Sequence, residues 1–111
     1  MIRSENDNEN RAIPAETREQ IIELLRSHRR ELDELAVTRI SLFGSAARGD
    51  LTPQSDVDMV VEFSETTYRR FIALKSFLET ILGRGVDLLT PAAVQGRLKQ
   101  EIEKDLVDVP T

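Results

Sequence analysis

Two seven-residue runs of strand-forming character, Val37–Phe43 (VTRISLF) and Val57–Phe63 (VDMVVEF), flank a segment that opens on Gly44-Ser45 and closes on Asp56. The first run mixes β-branched and apolar residues and stops at a glycine, which predicts a strand running into a tight turn. The segment between holds GSAARGD, a short helical turn at most, and LTPQS, whose Pro53 and small polar residues describe a loop. Whatever fold the chain adopts must carry this strand–turn–loop–strand unit.

Helical patterns surround it. Ile21, Ile22, Leu24, Leu25, Leu32 and Leu35 recur at helical spacing behind Pro14, predicting an amphipathic helix over about 15–30 that extends as far as 35. Phe71, Ile72, Leu74, Leu78, Ile81 and Leu82 form an apolar stripe over 67–82, closed by Gly83 and Gly85. Val86–Leu89 predicts a short third strand, Pro91 a helix of about fifteen residues, and LVDV a terminal strand. Helices alternating with strands imply an α/β fold, a small mixed β-sheet of three to four strands flanked by helices. Residues 1–13 are Asn/Glu/Asp-rich with little to bury and are expected to form a disordered tail ahead of one domain over 14–111.

Composition narrows the chemistry. The 111 residues are 40% apolar and 32% charged, the balance of one small domain. No apolar run approaches the roughly 20 residues of a membrane span, and the polar start lacks an apolar signal core, so a cytoplasmic protein is expected. Absence of cysteine excludes disulfides, thiolate catalysis and zinc–thiolate sites, and the single histidine, His28, suits a helix end better than a metal cluster. A net charge of −5 argues against binding a phosphate backbone as the main activity. Between Arg48 and Arg69 lie Asp50, Asp56, Asp58, Glu62 and Glu65 with no basic residue among them, a segment that would welcome a cation. Arg69, Arg70, Lys75 and Arg84 are expected on a solvated face.

The chemistry concentrates in Leu42–Val61. Asp56 and Asp58 stand at i and i+2, so on a strand their carboxylates share one face about 6.5–7 Å apart at Cα. Carboxylates so placed repel unless a cation joins them. Oxygen ligands without cysteine or paired histidine select Mg²⁺ or Mn²⁺, and two such ions about 3.5–4 Å apart serve in-line phosphoryl or nucleotidyl transfer. Asp87, opening the third strand, can present a third carboxylate beside them. Gly44 lets a phosphate approach the backbone, Ser45 offers a hydroxyl and an N–H, and the turn that follows aims its N-terminus at the anion. Arg48 can neutralise polyphosphate, and Ser55 can orient Asp56 or cap its loop; both are expected in the nucleotide-binding site with Gly44 and Ser45.

The run GSAARGDLTPQSDVDMVV, Gly-Ser, ten residues, then Asp-x-Asp, resembles the signature of the DNA polymerase β-like nucleotidyltransferase superfamily, and in particular its prokaryotic minimal nucleotidyltransferases (MNT domains). LETILGRGVDLLTP resembles the segment carrying that family's third acidic residue, so the likeness spans about residues 18–109. The resemblance implies the polymerase β-like fold, two Mg²⁺ ions held by Asp56, Asp58 and Asp87, with Asp87 helping to activate the acceptor hydroxyl, and nucleotide phosphates on Gly44 and Ser45. It implies ATP as substrate and, as partner, a HEPN-domain toxin that MNT antitoxins neutralise by transferring AMP to a tyrosine. Two further readings of the same residues stay open: a non-catalytic antitoxin acting by binding its toxin, and a small-molecule nucleotidyltransferase.

Overall fold

A computed structural model describes residues 14–110; the expected tail over 1–13 lies outside them. The elements are α1 (Arg18–Ser27), α2 (Arg29–Glu34), β1 (Val37–Phe43), α3 (Gly44–Arg48), β2 (Val57–Phe63), α4 (Tyr68–Leu82), β3 (Val86–Leu89), a 3₁₀ turn (Pro91–Ala93), α5 (Gly96–Lys104) and β4 (Val107–Asp108).

The four strands form one sheet in the order β3-β2-β1-β4. β1 pairs antiparallel with β2 and with β4, while β2 and β3 run parallel. This is the expected mixed α/β sheet. Alternation decides its faces: Val57, Met59 and Val61 of β2 and Val86 and Leu88 of β3 are buried, whereas Asp58, Val60, Glu62 and Asp87 point the other way. Helix α4 supplies Leu74, Leu78 and Leu82 at i, i+4 and i+8 to the buried side, all fully enclosed. Each such leucine contributes roughly 1.5–3 kcal/mol of burial. Ile21 and Leu25 of α1 and Leu32 of α2 join the same core.

Local chemistry sets the helix ends. Thr17 and Gln20 form a capping box at the start of α1, the Thr17 hydroxyl accepting the Gln20 N–H at 3.1 Å and the Gln20 side chain accepting the Thr17 N–H at 3.3 Å. The helix expected over 15–30 or 15–35 is two helices, divided at His28. There the Ser27 hydroxyl donates to the Glu23 and Leu24 carbonyls, and the His28 ring donates through Nδ1 to the Leu24 carbonyl at 2.8 Å. Side-chain donors thus compete for the carbonyls that a continuous helix would use. The helix expected from Pro91 begins only at Gly96, because Pro91 starts a single 3₁₀ turn instead. At the outer side of β3, Lys75 donates to Glu79 at 2.7 Å and to the Val86 carbonyl at 2.9 Å, and Glu79 accepts the Val86 N–H at 3.1 Å. Among the described residues no helix is long and apolar enough to cross a membrane.

Candidate active site

The end of β1 and the starts of β2 and β3 lie side by side, so three chain segments converge at one end of the sheet. In register, Asp58 faces Phe43 of β1 on one side and Asp87 of β3 on the other. Asp58 and Asp87 are therefore neighbours across a parallel pair, about 4.8 Å apart at Cα. Asp56 precedes Asp58 by two residues. The topology thus brings together the three acidic residues expected from the sequence.

Two glycines make room for them. A Cβ on Gly44 would sit 2.5 Å from Asp58 Oδ2, and one on Gly85 would sit 2.5 Å from Asp56 Oδ1. Each carboxylate rests against bare backbone, one on the turn after β1 and the other on the turn before β3. Gly44 also adopts φ 66°, a conformation that side chains resist. It opens a helix of five residues, with Ala46 and Ala47 buried and Gly49 closing the turn at φ 82°. Arg18 reaches from α1 and donates to the Ala47 carbonyl at 2.7 Å, fixing α3 against α1.

The electrostatics follow from this placement. Burial, then the Asp87 and Asp56 charges, push the Asp58 carboxyl above its ordinary range, with Arg48 opposing. Among the described residues no three acidic or imidazole side chains close on a single point. The donor set, carboxylates flanked by glycine backbone, fits a hard divalent ion.

Two residues expected to meet nucleotide have other partners. Arg48 donates to Asp105 at 2.9 Å and to Asp50 at 3.3 Å, which ties α3 to the end of α5. The Ser55 hydroxyl accepts the Thr52 N–H at 3.1 Å, while the Ser55 N–H donates to the Thr52 carbonyl at 3.0 Å. Ser55 is thus the loop cap, the second of its two expected roles. Gly44 and Ser45 stand where expected, at the strand end opening α3. Of the basic residues expected on a solvated face, Arg84 instead turns inward to three backbone carbonyls, and Lys75 is held by Glu79 and Val86. A groove of about 440 Å³ opens beside Asp56, between Pro14, Leu51, Pro53 and Arg84.

Residues 25–109 match the family model described as a nucleotidyltransferase domain. A Methanocaldococcus jannaschii protein assigned by name to the protein adenylyltransferases is 44% identical over 98 residues, covering 84% of this chain and 98% of that protein. The protein adenylyltransferase MntA of Thermococcus cleftensis is 36% identical over 95 residues, covering 84% and 96%. A solved structure described as a minimal nucleotidyltransferase superposes with TM-score 0.64 at 30% identity, covering 81% of this chain and 95% of that one. The complex of tri-AMPylated Shewanella oneidensis HEPN toxin with MNT antitoxin shares the fold, with TM-score 0.53 at 22% identity over 84% of this chain and 68% of that one. With this fold, this row of acids and relatives matched over nearly their full length, the chain belongs to the nucleotidyltransferase domain family, as a minimal nucleotidyltransferase of the protein adenylyltransferase kind.

Proposed function

We propose that residues 14–111 form a single minimal nucleotidyltransferase domain that transfers AMP from ATP to a tyrosine of a HEPN-type toxin in the cytoplasm and so neutralises it. The observation that carries this reading is the row Asp56, Asp58 and Asp87 at one sheet end, with Asp58 seated against Gly44 and Asp56 against Gly85. The MNT–HEPN complex of Shewanella, whose toxin is AMPylated, supports the choice of partner.

In this reading Asp56, Asp58 and Asp87 hold two Mg²⁺ ions, with Asp58 central because it neighbours both other carboxylates. Held there, such ions would supply positive charge to phosphate oxygens that gain negative charge during transfer. Gly44 and Ser45 receive the β- and γ-phosphates on backbone and hydroxyl donors, and Arg48 joins them by exchanging Asp50 for phosphate. Asp87 is exposed, so an acceptor hydroxyl can reach it. The acceptor oxygen bonds to the α-phosphorus, its proton passes to Asp87, and the bond from that phosphorus to pyrophosphate breaks. Ser55 serves by holding the loop ahead of Asp56.

The test incubates the purified protein with Mg²⁺, each of the four NTPs in turn and the product of the neighbouring gene, and reads intact mass. A gain of nucleoside monophosphate units on the partner with ATP alone, lost in Asp56→Ala/Asp58→Ala, is the expected result. A stable complex without mass change would replace transfer by inhibition through binding.

A further inference from the structure

We infer that Arg84 is a positioning residue for Asp56: it clamps the peptide from which that carboxylate departs and so sets the affinity of the site for its divalent ion. The inference rests on the nucleotidyl-transfer reading above. Gly83 ends α4 at φ 67°, its N–H donating to the Glu79 carbonyl at 3.0 Å, and this reversal sends the Arg84 side chain back toward the loop before β2. Nη1 of Arg84 donates to the Ala15 carbonyl at 2.7 Å, and Nη2 donates to the carbonyls of Thr52 and of Ser55, the latter at 3.0 Å.

The Ser55 carbonyl belongs to the peptide bond joining Ser55 to Asp56. On the other side of Asp56, the Val57 N–H donates to the Gly85 carbonyl at 2.9 Å. The Asp56 carboxylate itself lies against the Gly85 Cα. Two consecutive residues, Arg84 and Gly85, therefore hold the peptide before Asp56, the peptide after it and its side chain. The planar guanidinium presents several donors in a fixed fork, which suits three carbonyls held by two chain segments, Ala15 on one side and Thr52 and Ser55 of one loop on the other. The partners are backbone oxygens, so the arginine acts here as a staple between the start of the described chain, the 52–55 loop and the turn into β3.

Residues that orient a metal ligand typically change ion affinity or activity by about 10–100-fold when removed. The experiment uses the full chain and its Arg84→Ala and Arg84→Lys variants. Mg²⁺ is titrated calorimetrically in the presence of a non-hydrolysable ATP analogue, and amide exchange is followed at Val57 and at Leu42. Arg84→Ala is expected to raise the Mg²⁺ dissociation constant by about 10-fold or more and to speed exchange at Val57 while Leu42 in β1 stays protected. Arg84→Lys falls between, and added guanidinium ion recovers part of the affinity of the alanine variant. An Arg84→Ala protein with wild-type Mg²⁺ affinity and wild-type Val57 exchange overturns the inference. So does one in which Val57 and Leu42 lose protection together, since that assigns Arg84 to global stability. A wild-type protein that takes up no Mg²⁺ overturns the reading of the site itself, an outcome distinct from both.

Discussion

Strand β1 is bracketed by two residues in the left-handed region, Ala36 at φ 67° before it and Gly44 at φ 66° after it, and the two ends meet the same backbone demand differently. At Ala36 a methyl group is accommodated, and its carbonyl accepts the Ser64 N–H at 2.8 Å to close β1 against β2. At Gly44 the volume of a methyl group is already taken by the Asp58 carboxylate. The charges differ in the same sense. Near the start of β1, Arg39 lies between Glu62 and Asp108, donating to Asp108 at 2.8 and 3.0 Å. The Ser41 hydroxyl, then Arg39, hold the Asp108 carboxyl below its ordinary range. At the Gly44 end, burial and two neighbouring acids push Asp58 the opposite way. One face of one sheet thus neutralises its carboxylates where they serve structure and gathers them at the end where the proposed reading puts a ligand.

The comparison breaks hardest at Gly44. Gly44→Ala brings about 1–2 kcal/mol of left-handed strain and displaces Asp58, so AMP transfer is expected to fall by about 10²-fold, the scale of an ångström of misplacement. Initial rates per folded molecule measure it, and a wild-type rate would show that Asp58 need not rest on bare backbone.

At the other end, Asp108→Ala orphans the hydroxyl of buried Ser41, which donates to Asp108 at 2.5 Å. The expected cost is about 1–2 kcal/mol in urea denaturation, the penalty of an unpaired buried hydroxyl, with transfer unchanged. In a Ser41→Ala background most of that cost should vanish, and a cost that persists would point to Arg39 instead.

Titration separates the two ends by sign. A carboxyl held high when folded binds its proton more tightly in the native state, so without divalent ion the protein loses stability as pH rises from the ordinary aspartate range through the raised value of Asp58. Asp108 and Glu79 are held low, Glu79 by Lys75 and the Val86 N–H. What they contribute is present above the ordinary carboxylate range and lost as pH falls through their lowered values. Asp58→Asn should therefore stabilise the ion-free protein at neutral pH by about 1 kcal/mol or less, and forfeit the stabilisation that Mg²⁺ gives the wild type. Denaturation midpoints with and without Mg²⁺ across pH decide it.

The smallest effect belongs to Ala36→Gly. Relief of left-handed strain, offset by the entropy glycine brings to the unfolded chain, leaves a gain of at most about 1 kcal/mol. A melting temperature that falls would mean that the methyl group contributes packing at this corner.

Residue type and spacing made the acids legible. Asp-x-Asp ten residues beyond Gly-Ser specifies one strand face, and strand alternation fixes which side it takes. That Asp87 is the register partner of Asp58 is a matter of parallel pairing between β2 and β3, which periodicity does not encode. Arg84 was harder still. A side chain that binds backbone carbonyls leaves no trace in composition, because every residue offers that acceptor; its signal is positional, an arginine between Gly83 and Gly85. The division at His28 was hidden for a related reason, since Ser27 and His28 tolerate a helix until their side chains claim its carbonyls.

The clasp that Lys75 and Glu79 place on Val86 has a consequence for how this molecule meets others. β3 is the outermost strand on its side, and an edge strand with free amides and carbonyls is a template for any extended peptide. Val86 turns both its polar backbone groups outward, and both are already occupied. Main-chain zippering is thereby discouraged at the strand that carries Asp87. At Val86, therefore, a partner arriving at this flank meets side chains rather than free main-chain groups.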